Sequence, residues 1–134
     1  MAFKPHSTSG GELIPYEYMP CAAITPVVGM ALYESSGNLT TASAANIATY
    51  VSMVTKTAAV TAGDLIPVVR IQKDQIWEAP LAGESSLTVG ATTDIASGGL
   101  TVAASGSSGS NVEVVAFPEG VKTAGAKVRL RFVK

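Results

Sequence analysis

A repeated order of turn and strand residues narrows what this chain can become. Val28-Gly29 is followed by Ser36-Gly37-Asn38-Leu39-Thr40, and 61 residues later Val89-Gly90 is followed by Ser97-Gly98-Gly99-Leu100-Thr101. The same offset sets Val51 and Val54 on Val112 and Val115, and an offset of 62 sets Thr61-Ala62-Gly63 on Thr123-Ala124-Gly125. Each Thr-Ala-Gly leads into an apolar run with arginine in it, Leu65–Ile71 in one copy and Lys127–Val133 in the other. Residues 21–73 and 81–134 therefore read as two copies of one β-unit. Modules of about 55 residues bury too little surface to be robust alone. The copies are expected to share a core, as a small β-barrel or as two packed β-lobes. Two copies are too few for a solenoid.

Short apolar runs bounded by turn residues predict strands at Val27–Tyr33, Tyr50–Thr55, Leu65–Ile71, Leu87–Val89, Leu100–Ala103, Val112–Phe117 and Lys127–Val133. Turns are expected at residues 35–38, 62–64, 97–99 and 124–125, where Gly, Ser, Asn and Asp gather. The alanines of Thr41–Ala48 suggest one short helix. Residues 1–20 read as an extended N-terminal arm ahead of a β-domain at 21–134. Pro5, Pro15, Pro20 and Gly10-Gly11 oppose interior strand pairing. The arm nonetheless carries Phe3, Leu13, Ile14, Tyr16 and Tyr18, so it should dock on its own domain or on a neighbour.

The 134 residues are 47% hydrophobic but only 14% charged. Average domains are about 25% charged, so much of the surface must be small, neutral and hydroxylated. Disorder is excluded, because disordered chains lack this apolar weight. The net charge of −1 gives no global reason to bind nucleic acid. No run of about 20 mainly apolar residues spans a membrane. The start, Met1 to His6, has no apolar segment of the kind secretion signals carry. A single cysteine forbids an intrachain disulfide.

Chemistry is hard to assemble from these residues. His6 is the only histidine and lies in the arm, so a Ser-His-Asp triad has no oriented base. One Cys and one His cannot complete a zinc site. The carboxylates are scattered, and Asp64 and Asp94 read as turn residues. Gly106 to Gly109 lacks the lysine and helix of a phosphate-binding loop. Cys21, between Pro20 and Ala22, reads as a buried, inert thiol. No catalytic residue, cofactor or metal is expected.

Two features suit contact with a partner. In the strand Lys127–Val133, Lys127, Arg129 and Arg131 fall on one face and Val128, Leu130 and Phe132 on the other. Such a stripe is first a solvated strand face, next a positive surface for an acidic protein, and last a nucleic-acid contact, which no interleaved aromatics support. Trp77 sits between the two repeats, as a core anchor or an interface hot spot.

The runs Phe3–Tyr18, Ala23–Leu32 and Val60–Val69 resemble small β-rich capsid decoration (cement) proteins of tailed bacteriophages. The resemblance covers most of the chain in style and turn motifs and contains no catalytic signature. It implies a virion structural protein made in the host cytoplasm and bound to the outer capsid surface. There it would bridge neighbouring copies of the major capsid protein. It also implies a homo-oligomer, with a trimer favoured, and no cofactor, nucleic acid or membrane. Phe3, Tyr16, Tyr18, Trp77, Arg129 and Arg131 are the expected partner contacts. Other head or tail components (a head fibre, tail tube or connector) and a carbohydrate-binding β-module for host attachment remain as alternatives.

Overall fold

The computed structural model describes residues 3–7, 16–43, 46–73, 75–105 and 111–133. They form β1 (Lys4–Ser7), β2 (Tyr16–Pro20), β3 (Ala31–Ser35), β4 (Asn38–Thr41), β5 (Tyr50–Ser52), β6 (Leu65–Arg70), β7 (Ile76–Pro80), β8 (Thr92–Thr93), β9 (Val112–Ala116) and β10 (Lys127–Phe132). The strands make two five-stranded antiparallel sheets, ordered β2-β6-β5-β3-β4 and β1-β7-β10-β9-β8. The protein is all-β. Its sheets pack together as two lobes and do not close into a barrel.

The lobes match pair by pair. Raising every number by 62 turns Tyr50↔Arg70, Val51↔Val69 and Ser52↔Val68 into Val112↔Phe132, Glu113↔Arg131 and Val114↔Leu130, which are the observed β9–β10 pairs. The same offset carries β6 onto β10, while 60 carries β2 onto β7: Met19↔Ile66 becomes Ala79↔Val128. Irregular segments repeat as well. Cys21 bridges Leu39 in parallel and Leu81 bridges Val102. The Cys21 and Leu81 N–H groups donate to Asp64 O and Ala126 O, each at 2.9 Å. Each Val-Gly dipeptide is the middle of a tight turn closed by Met30 N–H to Val27 O or by Ala91 N–H to Thr88 O. Gly29 and Gly90, at φ 87° and 89°, supply the left-handed residue such turns need.

The repeat therefore reaches beyond the boundaries expected from sequence. Residues 16–20, placed in the arm, are the first strand of the first lobe. Residues 76–80, read as part of a junction, are the first strand of the second. The rest of the arm supplies β1, which pairs antiparallel with β7 on the outer edge of the second lobe. Among the described residues there is no helix at Thr41–Ala48; residues 44 and 45 lie outside them. Ala42 and Ala48 are buried in the core shared by the lobes. Leu87–Val89 and Leu100–Ala103 are loops, with one bridged residue, Val102, and a buried Leu87.

The packing of the lobes is not symmetrical. Successive strand residues point to opposite faces. On the first lobe's inner face Leu32, Tyr50, Ile66 and Val68 enclose a small core with Cys21, Met30 and Leu39. On its back face Ala31, Val51 and Val69 join a larger core. That core is built mainly by the second lobe's inner face, through Trp77, Val112, Val114, Val128, Leu130 and Phe132. The lobes thus stack in tandem, inner face of the second against back face of the first. At the seam the Ala31 N–H donates to Gly99 O at 2.7 Å. A Cβ on Gly99 would stand 2.8 Å from Ala31 O, so only glycine fits this approach.

Candidate functional site

The back faces of the lobes hold most of the surface residues singled out from sequence. In an antiparallel ladder, residues directly opposite share a face. The pairs Tyr16↔Val69, Tyr18↔Pro67 and Pro20↔Leu65 therefore place all six side chains on the first lobe's back face. Val69 is buried under the second lobe. Beyond it Pro20 and Pro67 are half-buried, and three side chains stay open: Tyr16 is 60% exposed, Tyr18 66% and Leu65 63%. The result is a two-strand strip of aromatic and aliphatic side chains beginning where the inter-lobe packing stops. Large exposed apolar groups that adjoin one another mark interaction surfaces more often than scattered ones do.

On the second lobe the matching face is charged. Glu78 is buried to 7% exposure and is ringed by Lys4 Nζ at 3.3 Å, Arg129 Nε at 3.4 Å and Lys127 Nζ at 4.0 Å. Burial alone would raise the Glu78 carboxyl. Hydrogen bonds from Lys4 and Arg129, with the charges of Lys4 and Lys127, outweigh it and hold the group below its ordinary value. Arg131 Nε lies 3.1 Å from Glu113 Oε1. The basic stripe of β10 is thus engaged with carboxylates of β7 and β9. Pairs this exposed on the cation side contribute little each, and the face retains an excess of positive charge.

Phe3 and Trp77 are not available as partner contacts. Phe3 is 2% exposed and Trp77 fully buried. Their rings stand 5.5 and 5.9 Å from that of Phe132, Trp77 edge-on. The Phe3 N–H donates to Gly29 O at 2.9 Å, so the chain start is tied to both lobes. The Trp77 indole N–H donates to Gln75 Oε1 at 3.1 Å. Phe3 is buried because β1 follows the second lobe's edge with alternate residues inward, which turns an isolated apolar residue of the arm into core. Trp77 is the core anchor.

The exposed member missed by sequence reasoning is Leu65. A signal was present: Leu65 to Val69 is apolar on both strand alternations, whereas its duplicate, Lys127 to Arg131, alternates strictly. A strand apolar on both faces has something to cover on each.

Other groups bear on chemistry. Cys21 is buried, and desolvation followed by the nearby Asp64 charge raises its thiol above the usual value. That is the reverse of what activates a nucleophilic cysteine. Asp64 Oδ2 accepts from the Thr61 N–H at 3.2 Å, as a turn residue does. Among the described residues no group of three or more His, Cys, Asp or Glu is placed to hold a metal ion, and no helix is long and apolar enough to cross a membrane. The His6 side chain and residues 106–110 lie outside the described residues. No protein-family model, curated protein or solved structure matches the chain.

Proposed function

We propose that this chain is a non-enzymatic virion structural protein of a tailed bacteriophage. It binds the outer surface of the major capsid shell and holds neighbouring capsid subunits together. The observation that carries the reading is the uncovered strip of Tyr16, Tyr18 and Leu65 on a sheet face that elsewhere serves as packing surface. Interface cores are depleted in charge and enriched in Tyr, and a few such anchors supply most of the binding energy. Two of the three runs that carry the resemblance to decoration proteins, Phe3–Tyr18 and Val60–Val69, contain this strip. A bound protein touching two capsid subunits opposes their separation by multivalency, with no chemistry of its own. The positive face around Arg129 and Arg131 would steer approach to an acidic shell surface. Assembly in the host cytoplasm and homo-oligomerisation belong to the same reading.

Co-sedimentation of the purified chain with assembled capsid shells tests it. The double variant Tyr18→Ser/Leu65→Ser should lower shell affinity by roughly 30-fold or more, the scale of two hot-spot side chains. Undiminished affinity would remove the strip from the reading, and absence of wild-type binding would remove the shell. Exposed tyrosines two residues apart are also a surface on which a sugar ring can stack. Binding to a glycan array without binding to shells would favour host attachment instead.

A further inference from the structure

We propose that a second copy of this chain adds to the outer edge of β2, so that two β2 strands pair antiparallel about a twofold axis through Glu17. The duplication supplies the first reason. The edge of β7, the counterpart of β2, is covered by the antiparallel strand β1. The edge of β2 carries no strand among the described residues.

Backbone alternation supplies the second. The Cys21 N–H donates to Asp64 O and the Cys21 carbonyl accepts from the Gly63 N–H, so odd-numbered β2 residues aim their backbone groups at β6. The even-numbered Tyr16 and Tyr18 aim theirs out of the sheet. Beyond them Pro20 has no N–H to give, and the Ala22 N–H is taken by Leu39 O. The free stretch is thus Tyr16 to Tyr18, centred on Glu17. A twofold axis at Glu17 sets Tyr16 opposite Tyr18 of the second copy in both directions, and each outward N–H then faces a carbonyl. Identical residues at both positions make the edge complementary to itself, as an isologous contact must be.

The side chains agree with this register. On the back face it sets tyrosine against tyrosine, an aromatic cross-strand pairing. On the other face it brings the two Glu17 residues together, but each is already held by its own Arg70, with Nε and Nη2 at 3.0 and 2.9 Å from the carboxylate oxygens. The other outer edge strand in that position is guarded. The Phe3 N–H, just before β1, is bonded to Gly29 O, and Pro5, the next residue to aim outward before the register shifts, has no N–H. The dimer joins two Tyr16-Tyr18-Leu65 strips into one continuous surface across the axis. The pairing holds whether or not that surface binds a capsid shell.

The test is sedimentation equilibrium of the full chain over a range of concentrations, with two variants. The wild type should show a reversible monomer–dimer equilibrium. Tyr18→Pro removes an outward N–H without touching a β6 hydrogen bond and should weaken the dimer roughly 30-fold, the effect of losing its two symmetry-related bonds. Glu17→Cys places two thiols across the axis within reach of a disulfide. On oxidation it should give a covalent dimer, while the wild type, with only buried Cys21, gives none. This variant keeps the test decisive if the proline disturbs folding. A wild type that stays monomeric or forms trimers, or a Glu17→Cys chain that does not cross-link, overturns the proposal.

Discussion

The back faces of the two lobes are made from matching strands in matching register and carry opposite chemistry. Tyr18 stands where Glu78 stands, Leu65 where Lys127 does, Pro67 where Arg129 does, and Val69 where Arg131 does. The centres of the inner faces, by contrast, keep their character: Ile66 and Val68 correspond to Val128 and Leu130, and all four are buried, while toward the β2 end Glu17 and Arg70 stand where the second lobe has Trp77 and Phe132. Duplication gave both lobes one interior plan, and tandem stacking gave their backs different neighbours. The first lobe's back meets the second lobe over Ala31, Val51 and Val69. The second lobe's back meets solvent and answers with ion pairs. Stacking accounts for the apolar character of Val69. It does not account for Tyr16, Tyr18 and Leu65, which lie outside the seam and remain apolar.

Exchanging residues between equivalent positions is the most direct way to break this comparison. The largest effect is expected at Trp77, whose counterpart is Glu17. Trp77→Ala should destabilise the fold by about 3–5 kcal/mol, because it empties the centre of the shared core and leaves the Gln75 amide without its indole partner. Glu17→Ala should change stability by less than about 1 kcal/mol, since it breaks only an exposed ion pair. Urea denaturation measures both. Equal losses would mean that the lobes do not divide core and surface as described.

Next in size is the seam. Val69→Arg copies the second lobe's Arg131 into a buried position and should cost about 3 kcal/mol or more, as an uncompensated charge among apolar neighbours does. The reverse change, Arg131→Val, lies on a solvated face and should stay within about 0.5 kcal/mol. If the two exchanges proved equally mild, the tandem seam would be wrong.

A smaller effect separates the faces by pH. The Glu78 carboxyl is held below its ordinary value of 4.5, so its folded-state pKa lies under its unfolded one. The stability it contributes is complete above that ordinary range and is lost as pH falls through the depressed folded value. Melting temperature should therefore decline below about pH 4.5 more steeply in the wild type than in Glu78→Gln. At neutral pH the substitution should cost about 1 kcal/mol, because the cations around Glu78 remain partly hydrated. Parallel pH profiles for the two proteins would show that the cluster contributes nothing to folding.

These contrasts also mark what was readable from residue order. The duplication was visible because Val-Gly and Thr-Ala-Gly occupy turns whose geometry demands glycine, so the same letters recur. β6, β9 and β10 were visible as apolar runs between such turns. β2 and β7 were not matched, because Tyr16–Pro20 and Ile76–Pro80 share only their final proline. Backbone register preserved this pair of strands while their side chains diverged. Prolines at positions 5 and 20 argued for an arm, and both lie where edge strands tolerate them. Phe3 could not be assigned to the core from sequence, since its burial depends on which lobe β1 joins. The arm reading expected Tyr16 and Tyr18 to dock on their own domain or on a neighbour, whereas they belong to β2 and stay more than half exposed, and the strip they form with Leu65 depends on a cross-strand register that residue order does not state.

The smallest expected effect on folding bears most on function. Tyr18→Glu with Leu65→Lys transplants onto the first lobe the diagonal that Glu78 and Lys127 make on the second. Both positions are more than half exposed and neither is in a core, so stability should move by no more than about 0.5 kcal/mol in thermal or urea melts. If the strip were only padding for its own lobe, the exchange should lower stability measurably, as filling a seam with charge does at Val69. If it is kept apolar for an outside surface, folding should be unmoved while association with shells or with a second copy falls. A loss well above about 1 kcal/mol would place Tyr18 and Leu65 in the service of the fold. An unchanged melt with weakened association would leave an external partner as the reason that this one face, alone of the two duplicates, has not acquired charge.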